Sequence, residues 1–188
     1  MRIAISGPPG SGKTTVTTLV AKKLDYDFIL VGQIFRQMAL ERRMDLGTFG
    51  RLAEEDETLD RELDLRMLAL AKANENIVLE GRLAGTILKI NKVHVFAAYV
   101  TAAEDVRAQR IAQREGKRAE DVLKEMRIRE RSETKRYFAY YGIDPSDKSI
   151  YDLWVDSTNL SAEKIADMIV EKARKADAEV AGKVEASH

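Results

Sequence analysis

The stretch that decides the fold is Gly7-Pro-Pro-Gly-Ser-Gly-Lys-Thr-Thr15. It follows the short apolar run Arg2–Ser6, which reads as a buried strand, and it leads into a segment whose apolar residues recur at helical spacing. The pattern G-x-x-x-x-G-K-[ST] between a strand and a helix predicts a phosphate-binding loop. Its glycines let successive N–H groups face a phosphate, and the helix N-terminus adds partial positive charge.

This loop predicts the nucleotide that is bound and the roles of two side chains. We expect Lys13 to bridge the β- and γ-phosphates of ATP and the Thr14 hydroxyl to ligate the Mg²⁺ that accompanies ATP. A Gly/Pro-rich turn that matches by chance is the alternative, which the strand–loop–helix context disfavours. The ATP-binding residues are therefore predicted to be Gly7, Pro8, Pro9, Gly10, Ser11, Gly12, Lys13, Thr14 and Thr15.

Composition excludes several other classes of protein. The 188 residues suit one domain, and 45% hydrophobic content is enough for a core. Cysteine is absent and the two histidines are far apart in sequence, which disfavours zinc sites. Lys plus Arg equals Asp plus Glu at 31 each, so we expect no standing contact with nucleic acid. With no leader and no apolar run of membrane-spanning length, we expect a cytoplasmic protein without membrane contact.

Strands and helices alternate along the chain. Strands are predicted at 2–6, 27–31, 76–80, 92–98 and 153–156. Helices are predicted over 45–73 in two segments, over 118–141 and after Ser161. This order predicts an α/β fold, a five-stranded parallel sheet with helices on both faces. Residues 1–175 are predicted to form one domain. Residues 176–188 lack an apolar stripe and are predicted to form a flexible tail.

Two arginines suggest what receives the phosphoryl group. The N-K-x-D motif by which GTPases recognise guanine is absent from the sequence. Strand three ends Leu79-Glu80-Gly81-Arg82 rather than in the acidic pair that is typical of remodelling ATPases. Arg36 and Arg82 follow predicted strands two and three, so both should face the crevice at the carboxyl ends of the sheet. Two guanidinium groups there suit a second phosphate, although surface arginines paired with carboxylates are the alternative.

Further arginines lie on two predicted helices. Arg129, Glu133 and Arg136 fall at i, i+4 and i+7, so they share a face. A hinged helical lid that brings arginines over the transferring phosphoryl group would neutralise its charge and exclude water. The alternative is a solvated, salt-bridged helix pair, because glutamates are interleaved throughout. The predicted lid residues are Arg110, Arg114 and Arg131.

On these motifs the chain resembles the nucleoside monophosphate kinases, and closely the archaeal type of cytidylate kinase, from Arg2 to about Ala173. The stretches that carry the resemblance are GPPGSGKTT, Gly32-Gln-Ile-Phe-Arg36-Gln-Met-Ala39, Glu80-Gly-Arg82-Leu-Ala-Gly85, Arg114-Glu-Gly116, Arg136-Tyr137, Tyr141-Gly-Ile-Asp144 and Ser149-Ile-Tyr-Asp152. The resemblance implies a five-stranded parallel core, a mobile region at about 32–73 that binds the monophosphate, and a lid at about 110–136.

The resemblance also implies roles for individual residues. Arg36 and Arg82 would hold the phosphate of CMP. Arg129, Glu133 and Arg136 match the R-x-x-x-D-x-x-R stretch of bacterial relatives, with Glu for Asp, which contacts the monophosphate and the transferring phosphoryl group. Lys13, Arg129 and Arg136 are therefore the predicted catalytic residues, and Glu133 joins the predicted CMP site.

Departures from the bacterial pattern affect the sugar and base contacts. Val31 replaces a serine and Leu83 replaces an aspartate. To discriminate cytosine from uracil, the protein needs a polar side chain positioned to hydrogen-bond the base. The candidates in the mobile region are Asp60, Arg61, Asp64 and Arg66, although exposed helix charges account for them better.

The resemblance implies an ATP- and Mg²⁺-dependent cytidylate kinase that acts on CMP and dCMP, and a monomer is the expectation. Adenylate or uridylate kinase differs only in the acceptor base and stays open. An assembly ATPase acting on a ribosomal or RNA partner is the alternative of another class. The lack of an acidic pair on strand three and the neutral net charge disfavour it.

Overall fold

Five parallel strands form one sheet in the computed structural model, which describes residues 1–145 and 147–185. The strands are β1 Arg2–Ser6, β2 Asp27–Leu30, β3 Ile77–Glu80, β4 Phe96–Thr101 and β5 Leu153–Asp156, in the order β2-β3-β1-β4-β5. β1 lies between β3 and β4, so the loop that follows β1 emerges at the centre of the carboxyl edge of the sheet.

Helices cover both faces of the sheet. Successive strand residues point to opposite faces, and Ile3 and Ile5 join the apolar cluster of α1 and α8, whereas Ala4 joins that of α4 and α5. The helices are α1 Lys13–Leu24, α2 Val31–Glu41, α3 Leu46–Glu55, α4 Glu57–Ala73, α5 Ala84–Ile90, α6 Glu104–Glu115, α7 Ala119–Tyr141 and α8 Ala162–Glu185. The predicted α/β class is confirmed. In the described part of the chain no helix combines the length and apolarity that crossing a membrane requires.

The structure differs from the predicted elements in three places. α5, with only 7 residues, is too short for its periodicity to be recognised. Lys92 adopts a left-handed φ of 57° just after α5, so β4 begins at Phe96 rather than at residue 92. α8 continues through Glu185, past the predicted end of the ordered domain near Lys175, and Ala176 still packs against the core. Residues 186–188 of the predicted tail lie outside the described residues.

Two small apolar clusters lie apart from the sheet. The α2–α4 cluster consists of Met38, Ala39, Phe49, Ala53 and Leu59. The α6–α7 cluster consists of Ala108, Ile111, Ala112, Val122 and Met126. Each group of helices is therefore held together by its own buried side chains in addition to its contacts with the rest of the domain.

The two helix groups meet where α4 faces the second half of α7. Tyr141 Oη donates a hydrogen bond of 2.6 Å to Asp64 Oδ2. One turn earlier, Arg136 Nε lies 3.2 Å from Asp60 Oδ2. Burial raises the pKa of the Asp64 carboxyl to about 6, although the Tyr141 hydrogen bond opposes that shift.

Replacing Asp64 by asparagine is expected to raise the free energy of unfolding at pH 8 by roughly 1–2 kcal/mol. The unfolded carboxyl ionises near its usual pKa of 3.8, whereas the folded protein keeps the proton until about pH 6. Ionisation in the folded state therefore costs stability as pH rises through this window, and asparagine has no proton to lose. Urea unfolding of both proteins at pH 8 and at pH 4 measures the difference, which should shrink at pH 4.

The exposed Asp167 on α8, which pairs with Lys23 at the surface, provides the control. Asp167→Asn should change stability little and equally at both pH values, because an exposed carboxylate loses little solvation on folding. A stability difference for Asp64→Asn that is the same at pH 4 and pH 8 would contradict the assigned pKa direction.

Candidate functional site

The loop after β1 requires glycine at two positions where its backbone passes close to the backbone of neighbouring elements. Gly7 has a φ of 147°, and a Cβ there would lie 2.1 Å from the carbonyl oxygen of Val100 in β4. Gly10 has a φ of 76°, and a Cβ there would lie 2.6 Å from the carbonyl oxygen of Arg107 in α6. Larger side chains would push the loop off these neighbours, so the two glycines set its path into α1.

Lys13 and Thr14, in the first turn of α1, both contact Glu80. Lys13 Nζ donates to the Pro8 carbonyl oxygen at 3.1 Å and lies 3.6 Å from Glu80 Oε1. Thr14 Oγ1 donates to Glu80 Oε2 at 3.1 Å. Burial, and then the nearby Arg82 charge, lower the pKa of Lys13 to about 8, and Glu80 partly offsets this shift. A polyanion beside Lys13 would favour its charged form.

Glu80 is a candidate site residue that the sequence patterns do not single out. It ends β3, whose register pairs Ile5 with Glu80, and this pairing brings the carboxylate beside the loop. The pattern that indicates an ATPase at this position is an acidic pair, whereas this strand ends in a single acidic residue. Within residues 1–145 and 147–185 no cluster of three His, Cys, Asp or Glu side chains could hold a metal ion. One hydroxyl and one carboxylate instead suit a Mg²⁺ ion that takes its other ligands from phosphates and water.

One cavity of about 1340 Å³ extends from the phosphate loop to α2, α3 and α4. It exceeds the roughly 300–1,000 Å³ of a pocket for one small molecule, so it has room for two ligands. Arg36 and Arg82, predicted to face the same crevice, both line it. Arg82 Nη2 lies 3.3 Å from Glu133 Oε1, while Arg82 Nη1 is buried without a hydrogen-bond partner among the described residues.

The face predicted on the long helix is present on α7. Arg129, Glu133 and Arg136 all line the cavity. Arg129 Nε donates to Glu133 Oε1 at 2.9 Å, so the buried Glu133 carboxylate lies between Arg129 and Arg82. Arg136 instead contacts Asp60. Glu133 thus orients two cations towards the cavity and partly balances their charge.

The three predicted lid arginines occupy different surroundings. Arg110 lines the cavity and is fixed by donating to Ser157 Oγ at 3.0 Å and to the Ser157 carbonyl oxygen at 2.8 Å. Arg114 also lines the cavity, where its side chain is exposed and pairs with Glu115. Arg131 is exposed on α7 and does not line the cavity.

A buried arginine behind the phosphate loop joins the loop to α7. Arg107 donates through Nη1 to the Pro9 carbonyl oxygen at 3.3 Å and to Glu130 of α7, and through Nε to the Ala102 carbonyl oxygen. On the other side of the loop, Ser157 Oγ donates to the Ser11 carbonyl oxygen at 2.8 Å. Helical spacing puts Arg107 on one face of α6 with Arg110 and Arg114, but it does not indicate that Arg107 supports the loop.

Comparison with known proteins agrees with this geometry. The profile of the cytidylate kinase-like family matches residues 2–159. The cytidylate kinase of Archaeoglobus fulgidus is 41% identical over 90% of this chain and 93% of its own length, and that of Halobacterium salinarum is 42% identical over 91% and 88%. Among solved structures, shikimate kinase from Acinetobacter baumannii aligns with a TM-score of 0.61 at 18% identity, covering 90% of each chain, and supports the fold alone.

Proposed function

Because the chain belongs to the cytidylate kinase-like family, we propose that it transfers the γ-phosphoryl group of ATP to CMP, and to dCMP, with release of ADP. The observation that carries this proposal is a single cavity lined both by the phosphate loop and by Arg36 and Arg82. A nucleotide-dependent ATPase needs only the first of these features. Both come from one chain, so the proposal requires no second subunit.

The donor ATP would occupy the phosphate loop, with residues 7–15 around its phosphates. Lys13, held by Pro8 and Glu80, would contact the β- and γ-phosphates. Thr14 would hold Mg²⁺ with Glu80 beside it, and the ion supplies charge neutralisation between the phosphates. The oxygen donors of these two side chains fit that ion. Arg110, fixed by Ser157, and Arg114 would lie along the donor side of the cavity.

The acceptor CMP would lie between the phosphate loop and helices α2–α4. Arg36 and Arg82 would bind its phosphate, and Glu133 would keep Arg82 oriented. We propose that residues 32–73 form the mobile acceptor region and 110–136 the lid, because each contains an apolar cluster separate from the sheet. A separate cluster allows α2, α3 and the start of α4 to shift, while Met67, Leu68 and Ala71 of α4 stay packed in the sheet cluster.

The reaction would be a direct in-line transfer. An oxygen of the CMP phosphate attacks the γ-phosphorus while the bond to the bridging oxygen of ADP breaks, and no enzyme-bound intermediate forms. A phosphate monoester is largely ionised at neutral pH, so no strong general base is required. The residues of this chain would align the two phosphates and neutralise charge, with Lys13 and Arg129 as the catalytic cations, whereas Arg136, predicted with them, is engaged by Asp60.

The test is ADP release from ATP and Mg²⁺ with CMP, dCMP, UMP, AMP or GMP added singly. Strong stimulation by CMP and dCMP with little by the purines is the expected result. Stimulation by AMP or UMP instead would keep the kinase and replace the base assignment. Slow ADP release at a rate that no added monophosphate changes would overturn the proposal in favour of an assembly ATPase.

Glu80→Gln is expected to raise the Mg²⁺ concentration that gives the half-maximal rate by about 10–100-fold. The amide can still accept the Thr14 hydrogen bond, but it lacks the charge that attracts the cation. A Mg²⁺ titration at saturating ATP and CMP measures the effect, with Glu75→Gln, an exposed position that does not line the cavity, as the control. A lower kcat with an unchanged Mg²⁺ midpoint would instead limit Glu80 to positioning Lys13.

A further inference from the structure

The part of the cavity between α2, α3 and α4 has apolar as well as charged side chains among its lining residues. Phe35 of α2 lies one residue before Arg36, so an acceptor whose phosphate meets Arg36 would extend its base along this part of the cavity. Apolar and aromatic walls with few polar groups are typical of pockets for flat rings. The apolar residues that line this part of the cavity are Phe35, Leu46, Ala53 and Leu63.

Asp60 is the carboxylate buried in this wall. It lies in the first turn of α4, lines the cavity, and its side chain is only 13% exposed. Arg51 and Glu54 line the same part of the cavity but are exposed, so solvent weakens any selection they exert. The sequence favours an exposed helix charge for Asp60, and the burial of its side chain shows that this prediction is wrong.

The hydrogen bonding of Asp60 is incomplete. Arg136 Nε is 3.2 Å from Asp60 Oδ2, close enough for charge attraction but misaligned for a hydrogen bond. Both atoms are buried and, among the residues described, neither has a hydrogen-bond partner. These two atoms face each other, so Arg136 fixes the orientation of the carboxylate, and a ligand in the cavity would meet the other carboxylate oxygen, Asp60 Oδ1. Burial outweighs the Arg136 charge and raises the pKa of the Asp60 carboxyl, which a donor from the ligand would offset.

The chemistry of the pair selects one pyrimidine over the other. Cytosine presents an amino donor at position 4, where uracil presents a carbonyl acceptor. A carboxylate accepts from the amino group, but uracil would place its carbonyl oxygen against the buried carboxylate. We infer that Asp60, oriented by Arg136, reads the 4-amino group of the acceptor and thereby sets its specificity for cytosine over uracil. This inference rests on the proposed function.

Asp60→Asn tests the inference, because the carboxamide offers an N–H donor to the uracil carbonyl. The ratio of kcat/KM for CMP to kcat/KM for UMP is expected to fall by about 10–100-fold, chiefly through the two KM values. The matched control is Asp64→Asn, one turn along the same helix, which does not line the cavity and should leave the ratio unchanged. Equal losses with both substrates would overturn the inference and reduce Asp60 to a structural link between α4 and α7.

The unmodified protein provides a second test that does not depend on the folding of a variant. Pyrimidin-2-one ribonucleoside 5′-monophosphate lacks only the 4-amino group of CMP and should have a kcat/KM about 10–100-fold below that of CMP. Equal use of both acceptors would contradict the inference while leaving the kinase intact. ADP release indifferent to every monophosphate would instead contradict the proposed function itself.

Discussion

Replacing Lys13 by methionine is expected to lower the kcat of CMP-dependent ADP release by about 10²–10³-fold, the range for loss of one preorganised group that stabilises transition-state charge. The Lys13 side chain is only 11% exposed and is held between the Pro8 carbonyl oxygen and Glu80, so it needs no reorganisation when charge develops on the phosphoryl group. Methionine has a similar length and fills the same space without the charge, so the loop should keep its shape.

Steady-state kinetics with each substrate varied in turn measure this effect. The KM for CMP should change little, because Lys13 belongs to the donor side. Lys22→Met, an exposed position on the same helix, is the control and should keep full activity. A raised KM for CMP with an unchanged kcat would contradict the donor-side role of Lys13.

Replacing Arg36 by methionine is expected to raise the KM for CMP by about 10–100-fold and to change kcat much less. Arg36 lines the cavity from α2 and is exposed within it, so its guanidinium can form charge-assisted hydrogen bonds to an incoming phosphate. Arg82 would remain, already oriented by Glu133, and would keep the acceptor phosphate near its place once CMP saturates the enzyme.

Initial rates over a wide CMP range, with ATP saturating, separate the two constants. Arg61→Met is the matched control, because Arg61 is exposed on α4, pairs with Glu57 and does not line the cavity. A fall in kcat with an unchanged KM for CMP would reassign Arg36 to the transferring phosphoryl group.

Local patterns in the sequence predicted the features that depend on neighbours along the chain. The phosphate loop follows from glycine positions and the flanking strand and helix, and the face shared by Arg129, Glu133 and Arg136 follows from helical spacing alone. The crevice position of Arg36 and Arg82 needed one further rule, that parallel strands end at the same edge.

Features that depend on which strands and helices become neighbours could not be predicted in this way. Glu80 reaches Lys13 because β3 is adjacent to β1, and the sequence does not state that order. The burial of Asp60 depends on α7 packing across α4, although the two helices are far apart in sequence. Arg107 likewise contacts both Pro9 and Glu130. The separation of these residues along the sequence does not indicate that they are close in the fold.

That last connection has a consequence for how variation in this protein acts. Glu130 is linked to the phosphate loop through the Arg107 guanidinium, which also donates to the Pro9 carbonyl oxygen. A change at position 130 would therefore reach the donor site as a displacement of the loop backbone rather than as a lost ligand contact. Protein engineers who choose positions by distance from the nucleotide would pass over this residue, although it offers a way to adjust nucleotide affinity without altering any ligand-contacting side chain.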